Sequence, residues 1–86
     1  RQEAVWIDVR TPEEYAAGHL ENAKNIPHDQ IGQQIAAHVP NKNTPINLYC
    51  RSGRRAETAK QVLESMGYTN VQNRGGYEQL KQSGMR

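Results

Sequence analysis

Residues 46–60, INLYCRSGRRAETAK, place the only cysteine of the chain between an apolar segment and a helical one. Ile46, Leu48 and Tyr49 follow a proline and form the short apolar run that is typical of a buried parallel strand. This strand would end at Cys50. Because ligands bind at the carboxyl edge of open α/β sheets, the position of this thiol makes it a candidate for chemistry.

The second half of the stretch predicts a helix that starts at Arg54 or Arg55 and stops before Gly67. Its apolar residues recur three and four positions apart and define one core-facing side. These residues are Ala56, Ala59, Leu63 and Met66. Between strand and helix, the backbone N–H groups of residues 51–55 have no regular partner, and Gly53 permits a tight bend.

Such a loop is expected to turn its N–H groups inward, where they and the helix N-terminus would hold an anion or a thiolate. Positive charge is concentrated at the start of this helix, on Arg51, Arg54 and Arg55. Because the helix dipole disfavours cations at that end, the three arginines indicate a binding site for a small anionic substrate and not merely a solvated helix end. Thiols ionise more readily in such surroundings. We therefore predict a reactive Cys50, although a free cysteine is more often a small core residue.

The size and composition of the chain limit what it can be. Its 86 residues predict one domain, spanning 1–86, with 35% hydrophobic and 23% charged residues. No apolar run approaches the roughly 20 residues of a membrane-spanning helix. The net charge of +2, without a long basic stripe, argues against nucleic acid. A single cysteine excludes an internal disulfide and a paired-cysteine metal or redox motif.

Upstream of this stretch the pattern predicts a strand over Ala4–Val9 and a short helix capped by Thr11 that stops at Gly18. A short strand should follow before Pro27. His19, His28 and His38 form no metal-ligand pattern, so we expect hydrogen-bonded structural histidines and no metal.

The next helix is expected to be capped by Asp29 and to end near His38, before a turn over residues 41–44. Downstream of the 46–60 stretch we predict a strand around Val71, a loop over residues 73–76 and a last helix from Tyr77 to about residue 81. The paired glycines Gly75 and Gly76 can let the backbone approach a ligand closely. Alternating strands and helices predict an α/β domain with a small parallel sheet covered on both faces.

Four separated motifs together resemble the rhodanese domain, and the resemblance covers nearly the whole chain. These motifs are IDVR at 7–10 with PEEY at 12–15, GHL at 18–20 leading to NIP at 25–27, YCRSGRR at 49–55, and GY at 67–68 with GGY at 75–77. The chain is most similar to the small secreted single-domain rhodaneses of bacteria, of the phage-shock type. The resemblance implies a rhodanese-like three-layer fold with a five-stranded, mostly parallel sheet flanked by helices.

The resemblance also implies thiosulfate sulfurtransferase activity without a cofactor. In this family Cys50 matches the cysteine that forms a persulfide, and residues 50–55 match the active-site loop, which includes Ser52 and Gly53. Arg51 is similar to the residue that meets the anionic part of thiosulfate, and Arg55 matches a basic position at the loop's end. Asp8 and Arg10 match positions that brace neighbouring loops. We expect the spare N–H groups of the active-site loop to be hydrogen-bond partners of Asp8.

The expected reaction is a double displacement in which thiosulfate is the donor and cyanide or a thiol is the acceptor. One alternative is a persulfide carrier that hands sulfur to another protein. A more distant one is a cysteine-dependent phosphatase or arsenate reductase, whose loop has five residues between cysteine and arginine; here four separate Cys50 from Arg55. We expect a monomer. Similarity to secreted relatives implies the periplasm, with the cytoplasm as the alternative.

Overall fold

Strands and helices alternate along the chain in a computed structural model, which describes residues 4–84. The strands are β1 (Val5–Asp8), β2 (Lys24–Asn25), β3 (Ile46–Cys50) and β4 (Val71–Gly76). The helices are α1 (Pro12–Ala17), α2 (Ile31–His38), α3 (Arg54–Ser65) and α4 (Tyr77–Gln82). None of these helices is both long enough and apolar enough to cross a lipid bilayer.

The strands form one parallel sheet in the order β2-β1-β3-β4, which places β3 and its cysteine near the middle. This confirms the predicted parallel α/β fold. The resemblance implied five strands, whereas the part of the chain from residue 4 to residue 84 forms four. Each of the four lies at a predicted strand position, but β4 extends beyond the short strand that was predicted around Val71.

Side chains that alternate along the strands point to opposite faces of the sheet, and each face is covered. On one face Ile46, Leu48 and Cys50 pack with the buried residues of α2 and α3. On the other face Tyr49 packs with Leu20, Ala23 and Leu80, and with the partly buried rings of Trp6 and Tyr77. Cys50 therefore points into the layer that contains α2 and α3.

The helix boundaries follow the predicted local signals in most places. Thr11 caps α1 in a reciprocal capping box with Glu14, and Gly18 ends that helix with an N–H bond to the Tyr15 carbonyl. Helix α3 begins at Arg54 and is followed by Gly67 at φ 99°, as predicted. These agreements fix the two helices that flank the loop after β3.

Two local predictions are wrong. Asp29 does not cap α2, because the residue that precedes the helix is Gln30, which makes no side-chain capping bond. The N–H of Gln30 donates to the Pro27 carbonyl and closes a turn, and Asp29 lies inside that turn. Residues 73–76 are not a loop but the second half of β4. An irregularity in the β3–β4 pairing, between the Leu48–Asn73 and Cys50–Gly76 partners, absorbs one extra residue and keeps Gly76 beside Cys50.

Candidate active site

The candidate nucleophile is Cys50, the last residue of β3. Its side chain is fully buried, and its Sγ accepts a hydrogen bond of 2.9 Å from the N–H of Gly53. The sulfur thus lies against the apolar layer on one side and receives a backbone donor from the loop on the other. A donor aimed at sulfur stabilises the charged thiolate more than the neutral thiol.

Gly53 makes this contact possible. It lies at φ 97°, a left-handed conformation that glycine adopts without steric cost, and it immediately precedes α3. We expected several inward amides around the sulfur, but within residues 4–84 only Gly53 donates to it. The N–H groups of Ser52, Arg54 and Arg55 have no acceptor in this same part of the chain. They are the donors at the N-terminus of α3 that an incoming anion could use.

A surface cavity of about 340 Å³ opens beside the loop. Its lining residues are His28, Ser52, Arg54, Arg55 and Thr58. Arg51 and Arg54 are exposed and form no ion pair within residues 4–84, so their charges are available to an anion. Cys50 is fully buried and is not part of the cavity wall.

Arg55 has a different position from the other two loop arginines. Its guanidinium forms a two-point ion pair with Glu14 of α1, with N–O distances of 2.8 and 3.1 Å. The hydrogen bond from Arg55 lowers the pKa of Glu14 from 4.5 to about 2. The same hydrogen bond raises the pKa of Arg55. Arg55 therefore ties α1 to the start of α3 next to the thiol.

This ion pair predicts a pH-dependent stability. The folded-state pKa of Glu14 is depressed, so its contribution is complete above pH 4.5 and is lost as the pH falls through about 2. Since each partner is 28% exposed, we expect Glu14→Gln to lower the free energy of unfolding by only about 1 kcal/mol at pH 7. Gln retains the capping bond to Thr11. Urea denaturation at pH 7, 4 and 2.5 should show the difference shrinking.

Glu13→Gln is the matched control for this series, because Glu13 is an exposed neighbour in the first turn of the same helix. It should change stability by a few tenths of a kcal/mol. An equal loss for the Glu14 variant at every pH would contradict the assigned ion pair.

Asp8 and Arg10 form a buried pair at the end of β1. Both Asp8 carboxylate oxygens accept from Arg10, at 2.6 Å from Nη2 and 2.9 Å from Nε, and the Arg10 backbone N–H donates as well. Burial opposes a charged Arg10, but the hydrogen bonds and charge of Asp8 outweigh it and raise the pKa of Arg10. We expected the N–H groups of the active-site loop to serve Asp8. That prediction is wrong, because both carboxylate oxygens of Asp8 accept hydrogen bonds from Arg10 instead.

The Arg10 guanidinium also reaches two other elements. Its Nη2 donates to the Gly18 carbonyl at 2.6 Å, and its Cζ lies 4.5 Å from the centre of the Tyr77 ring. Arg10 thus joins the end of β1 to the segment after α1 and to α4. The bracing role that the resemblance implies for Asp8 and Arg10 stays a prediction.

Gly75 and Gly76 lie against the loop. A Cβ built on Gly76 would be 2.5 Å from the Arg51 carbonyl oxygen, so only glycine allows this close contact of two backbones. Gly75 adopts φ 92° at the irregularity of β4. The paired glycines therefore support the loop from the side of β4.

The three histidines have different surroundings. His19 stacks on the Tyr15 ring and its Nδ1 lies 2.8 Å from the Tyr15 carbonyl, as expected of a structural histidine. His28 lines the cavity beside the loop arginines, and its side chain makes no hydrogen bond within residues 4–84. Within residues 4–84, no cluster of three or more His, Cys, Asp or Glu side chains is arranged to hold a metal ion.

Sequence reasoning missed the positions of Glu14, His28 and Asn73 at this site. A signal existed for His28, since it follows β2 at the carboxyl edge that also carries Cys50. Glu14 was recognised only as part of the capping box of α1, although the same carboxylate reaches Arg55. Asn73, assigned to a loop, contacts the Gly53 carbonyl at 2.9 Å.

The fold and the site together define a small α/β domain with a cysteine at the head of a basic loop, on the carboxyl edge of a parallel sheet. A family model described as the Rhodanese-like domain matches residues 1–83. The chain belongs to this family, which confirms the resemblance in its sequence motifs.

One curated relative and two solved structures, from Escherichia coli and Pseudomonas aeruginosa, show how close the similarity is. The thiosulfate sulfurtransferase PspE of E. coli K12 is 45% identical over 75 residues, which cover 87% of this chain and 72% of that protein. A solved E. coli rhodanese with anions superposes with a TM-score of 0.86 at 45% identity, covering 88% of this chain and 89% of the other.

The structure of a thiosulfate sulfurtransferase from P. aeruginosa superposes with a TM-score of 0.91 at 32% identity. It covers 98% of this chain but only 16% of that larger protein. The present fold therefore occurs both in a protein of similar size and within a much longer one.

Proposed function

We propose that this chain is a thiosulfate sulfurtransferase that moves the outer sulfur of thiosulfate to cyanide or a thiol through a persulfide on Cys50. The observation on which this rests most is the hydrogen bond from the Gly53 N–H to the Cys50 Sγ, at the entrance to α3 and among three arginines. The 45% identity to a thiosulfate sulfurtransferase supports the same activity. No step in the proposed reaction requires a cofactor.

In the first step the Cys50 thiolate attacks the outer sulfur of thiosulfate. A bond forms between Sγ and that sulfur, while the sulfur–sulfur bond of thiosulfate breaks and sulfite leaves with its electron pair. The product is a Cys50 persulfide, a covalent intermediate that divides the transfer into two simpler displacements.

In the second step cyanide, or the thiolate of an acceptor, attacks the terminal sulfur of the persulfide. The bond between the two sulfurs breaks, the electron pair returns to Sγ, and thiocyanate or an acceptor persulfide leaves. The Cys50 thiolate is restored and neither step changes the overall charge.

The loop stabilises negative charge during both steps. The Gly53 N–H faces the sulfur that is charged before attack and after release, as a fixed dipole does at an oxyanion site. Arg51 and Arg54 attract the doubly charged donor from solution, and this attraction weakens with added salt. Arg55 is paired with Glu14 and contributes mainly to the position of α3.

Access to the sulfur requires a movement of the loop. Cys50 is fully buried, whereas Arg51 and Ser52 are exposed and precede a glycine at positive φ. We infer that the donor reaches Sγ from the cavity as residues 51–53 shift outward.

The reaction is tested by intact mass, and the single cysteine makes the test specific. After incubation with thiosulfate, the wild-type chain should gain the mass of one sulfur atom, about 32 Da, and lose it again on addition of cyanide. Prior alkylation with iodoacetamide modifies Cys50 alone and should abolish the gain. An unchanged mass, measured with fresh reduced protein, would contradict the proposal.

Two outcomes would point to the alternative functions. A stable sulfur adduct that neither cyanide nor small thiols remove would indicate a carrier with a protein acceptor. Release of phosphate from an aryl phosphate, without sulfur loading, would indicate a phosphatase.

The proposal extends to the assembly and location of the protein. We infer a monomer formed by one domain over residues 1–86, to be checked by light scattering on a sizing column. We also infer a periplasmic location from the similarity to secreted single-domain rhodaneses. Fractionation of cells that express the full natural gene tests this inference, and recovery with cytoplasmic markers would overturn it.

A further inference from the structure

The Asn73 side chain joins the two backbone segments that meet beside Cys50. Its Oδ1 accepts from the N–H of Gly75 at 2.9 Å, across the irregularity of β4. Its Nδ2 donates to the Gly53 carbonyl at 2.9 Å and to a Glu57 carboxylate oxygen at 3.2 Å. Because a backbone N–H can only donate, the bond from Gly75 fixes which end of the amide faces the loop.

Hydrogen bonds fix the N–H and the carbonyl of Gly53. Its N–H donates to the Cys50 Sγ at 2.9 Å, and its carbonyl accepts from Asn73 and from the Glu57 N–H, the latter at 3.0 Å. Glycine has no side chain to restrict its rotation, so hydrogen bonds must select its conformation at φ 97°. Rotation of Gly53 would turn its N–H away from the sulfur.

The position of Asn73 depends on the extra residue in β4. Asn73 is paired with Leu48, two residues before Cys50, and the strand then gains one residue before Gly76 pairs with Cys50. The bond from Gly75 stabilises this irregularity locally, as asparagine side chains do in turns. One carboxamide therefore sets the path of β4 and the orientation of Gly53 together.

We propose that Asn73 is a positioning residue, which keeps the Gly53 N–H directed at Cys50 and so maintains the thiolate for sulfur transfer. The inference rests on the proposed function, in which the thiolate is the attacking group. Asn73 forms no hydrogen bond with the sulfur within residues 4–84 and does not line the cavity, and its link to the sulfur runs through Gly53.

The test is the pH profile of alkylation of the single cysteine by iodoacetamide in the intact chain. Asn73→Asp keeps the size and the acceptor for Gly75 but removes the donor to Gly53 and adds negative charge. We expect the midpoint of its profile to rise by about one pH unit, so that alkylation at pH 7 is about 10-fold slower. Asn73→Ala removes the donor without adding charge and should slow alkylation about 3-fold.

Other charged or titratable groups around the loop stay the same in both variants. They are His28 after β2, Arg51, Arg54 and Arg55 in the loop and α3, Glu57 in α3, and Glu14 in α1. A shift of the profile can therefore be assigned to the carboxamide and not to a changed neighbour.

Asn41 provides a matched control at the opposite edge of the sheet, before β3. Its Oδ1 accepts from the N–H of Asn43 at 2.9 Å, which is the same local bond that Asn73 makes with Gly75. Asn41→Asp and Asn41→Ala should leave the alkylation profile within about 2-fold of wild type, whatever they do to the melting temperature.

The result decides the proposal in either direction. Unchanged alkylation midpoints in folded Asn73→Asp and Asn73→Ala would overturn it and leave Asn73 a structural residue only. If Asn73→Asp does not fold, the Asn73→Ala profile still gives the answer. Failure of the proposed function is seen separately, as a wild-type chain that takes no sulfur from thiosulfate, because alkylation does not depend on sulfur transfer.

Discussion

Cys50→Ser should lower the rate of thiosulfate-to-cyanide transfer by at least about 1,000-fold, because it removes the only group that can hold the transferred sulfur. A serine hydroxyl is not ionised near neutral pH and does not form a stable bond to the outer sulfur of thiosulfate. The serine oxygen can still accept the Gly53 N–H, so the loop should keep its shape. Thiocyanate formation, measured at saturating thiosulfate, checks the expectation.

The matched control for this loss moves the thiol instead of removing it. In Cys50→Ser/Ser52→Cys the thiol sits two residues along, at an exposed position of the loop. If the location at the end of β3 matters, this double variant should stay as inactive as Cys50→Ser. Activity of Cys50→Ser within about 10-fold of wild type would contradict a mechanism through Cys50. Activity of the double variant at that level would contradict the importance of the position at the end of β3.

Local signals were enough to predict the elements around the site. The apolar run of β3, the periodicity of α3 and the capping box of α1 each lie within a short stretch, and all three elements form where predicted. The parallel pairing also follows, because strands that alternate with helices are joined by crossover connections. The motif resemblance then identified the family that the comparison confirms.

Contacts between distant residues were not predictable in this way. The ion pair of Glu14 with Arg55 joins residues 41 positions apart, and the bond of Asn73 to the Gly53 carbonyl spans 20. Both depend on how helices and strands pack, which no single stretch of sequence specifies. The extension of β4 to Gly76 was missed for a related reason, since paired glycines usually indicate a turn and here permit contact with the Arg51 carbonyl.

Asp8→Ala is the substitution with the largest expected effect on stability. It leaves the Arg10 guanidinium, only 6% exposed, without its carboxylate partner, and an uncompensated buried charge costs about 3–5 kcal/mol. Native proteins have total stabilities of about 5–15 kcal/mol, so the variant should lose a large part of its stability. Urea denaturation followed by circular dichroism measures the loss of unfolding free energy.

The loss of unfolding free energy in Asp8→Ala should come from the unpaired charge of Arg10 and not from the absence of the carboxylate itself. Asp8→Ala/Arg10→Met removes both charges and keeps an apolar stem near the Tyr77 ring, so it should be at least about 1 kcal/mol more stable than Asp8→Ala alone. The Gly18 carbonyl would lose its bond from Arg10 in the double variant, which limits the recovery. A double variant no more stable than the single one would mean that the pair acts through the lost hydrogen bonds and not through buried charge.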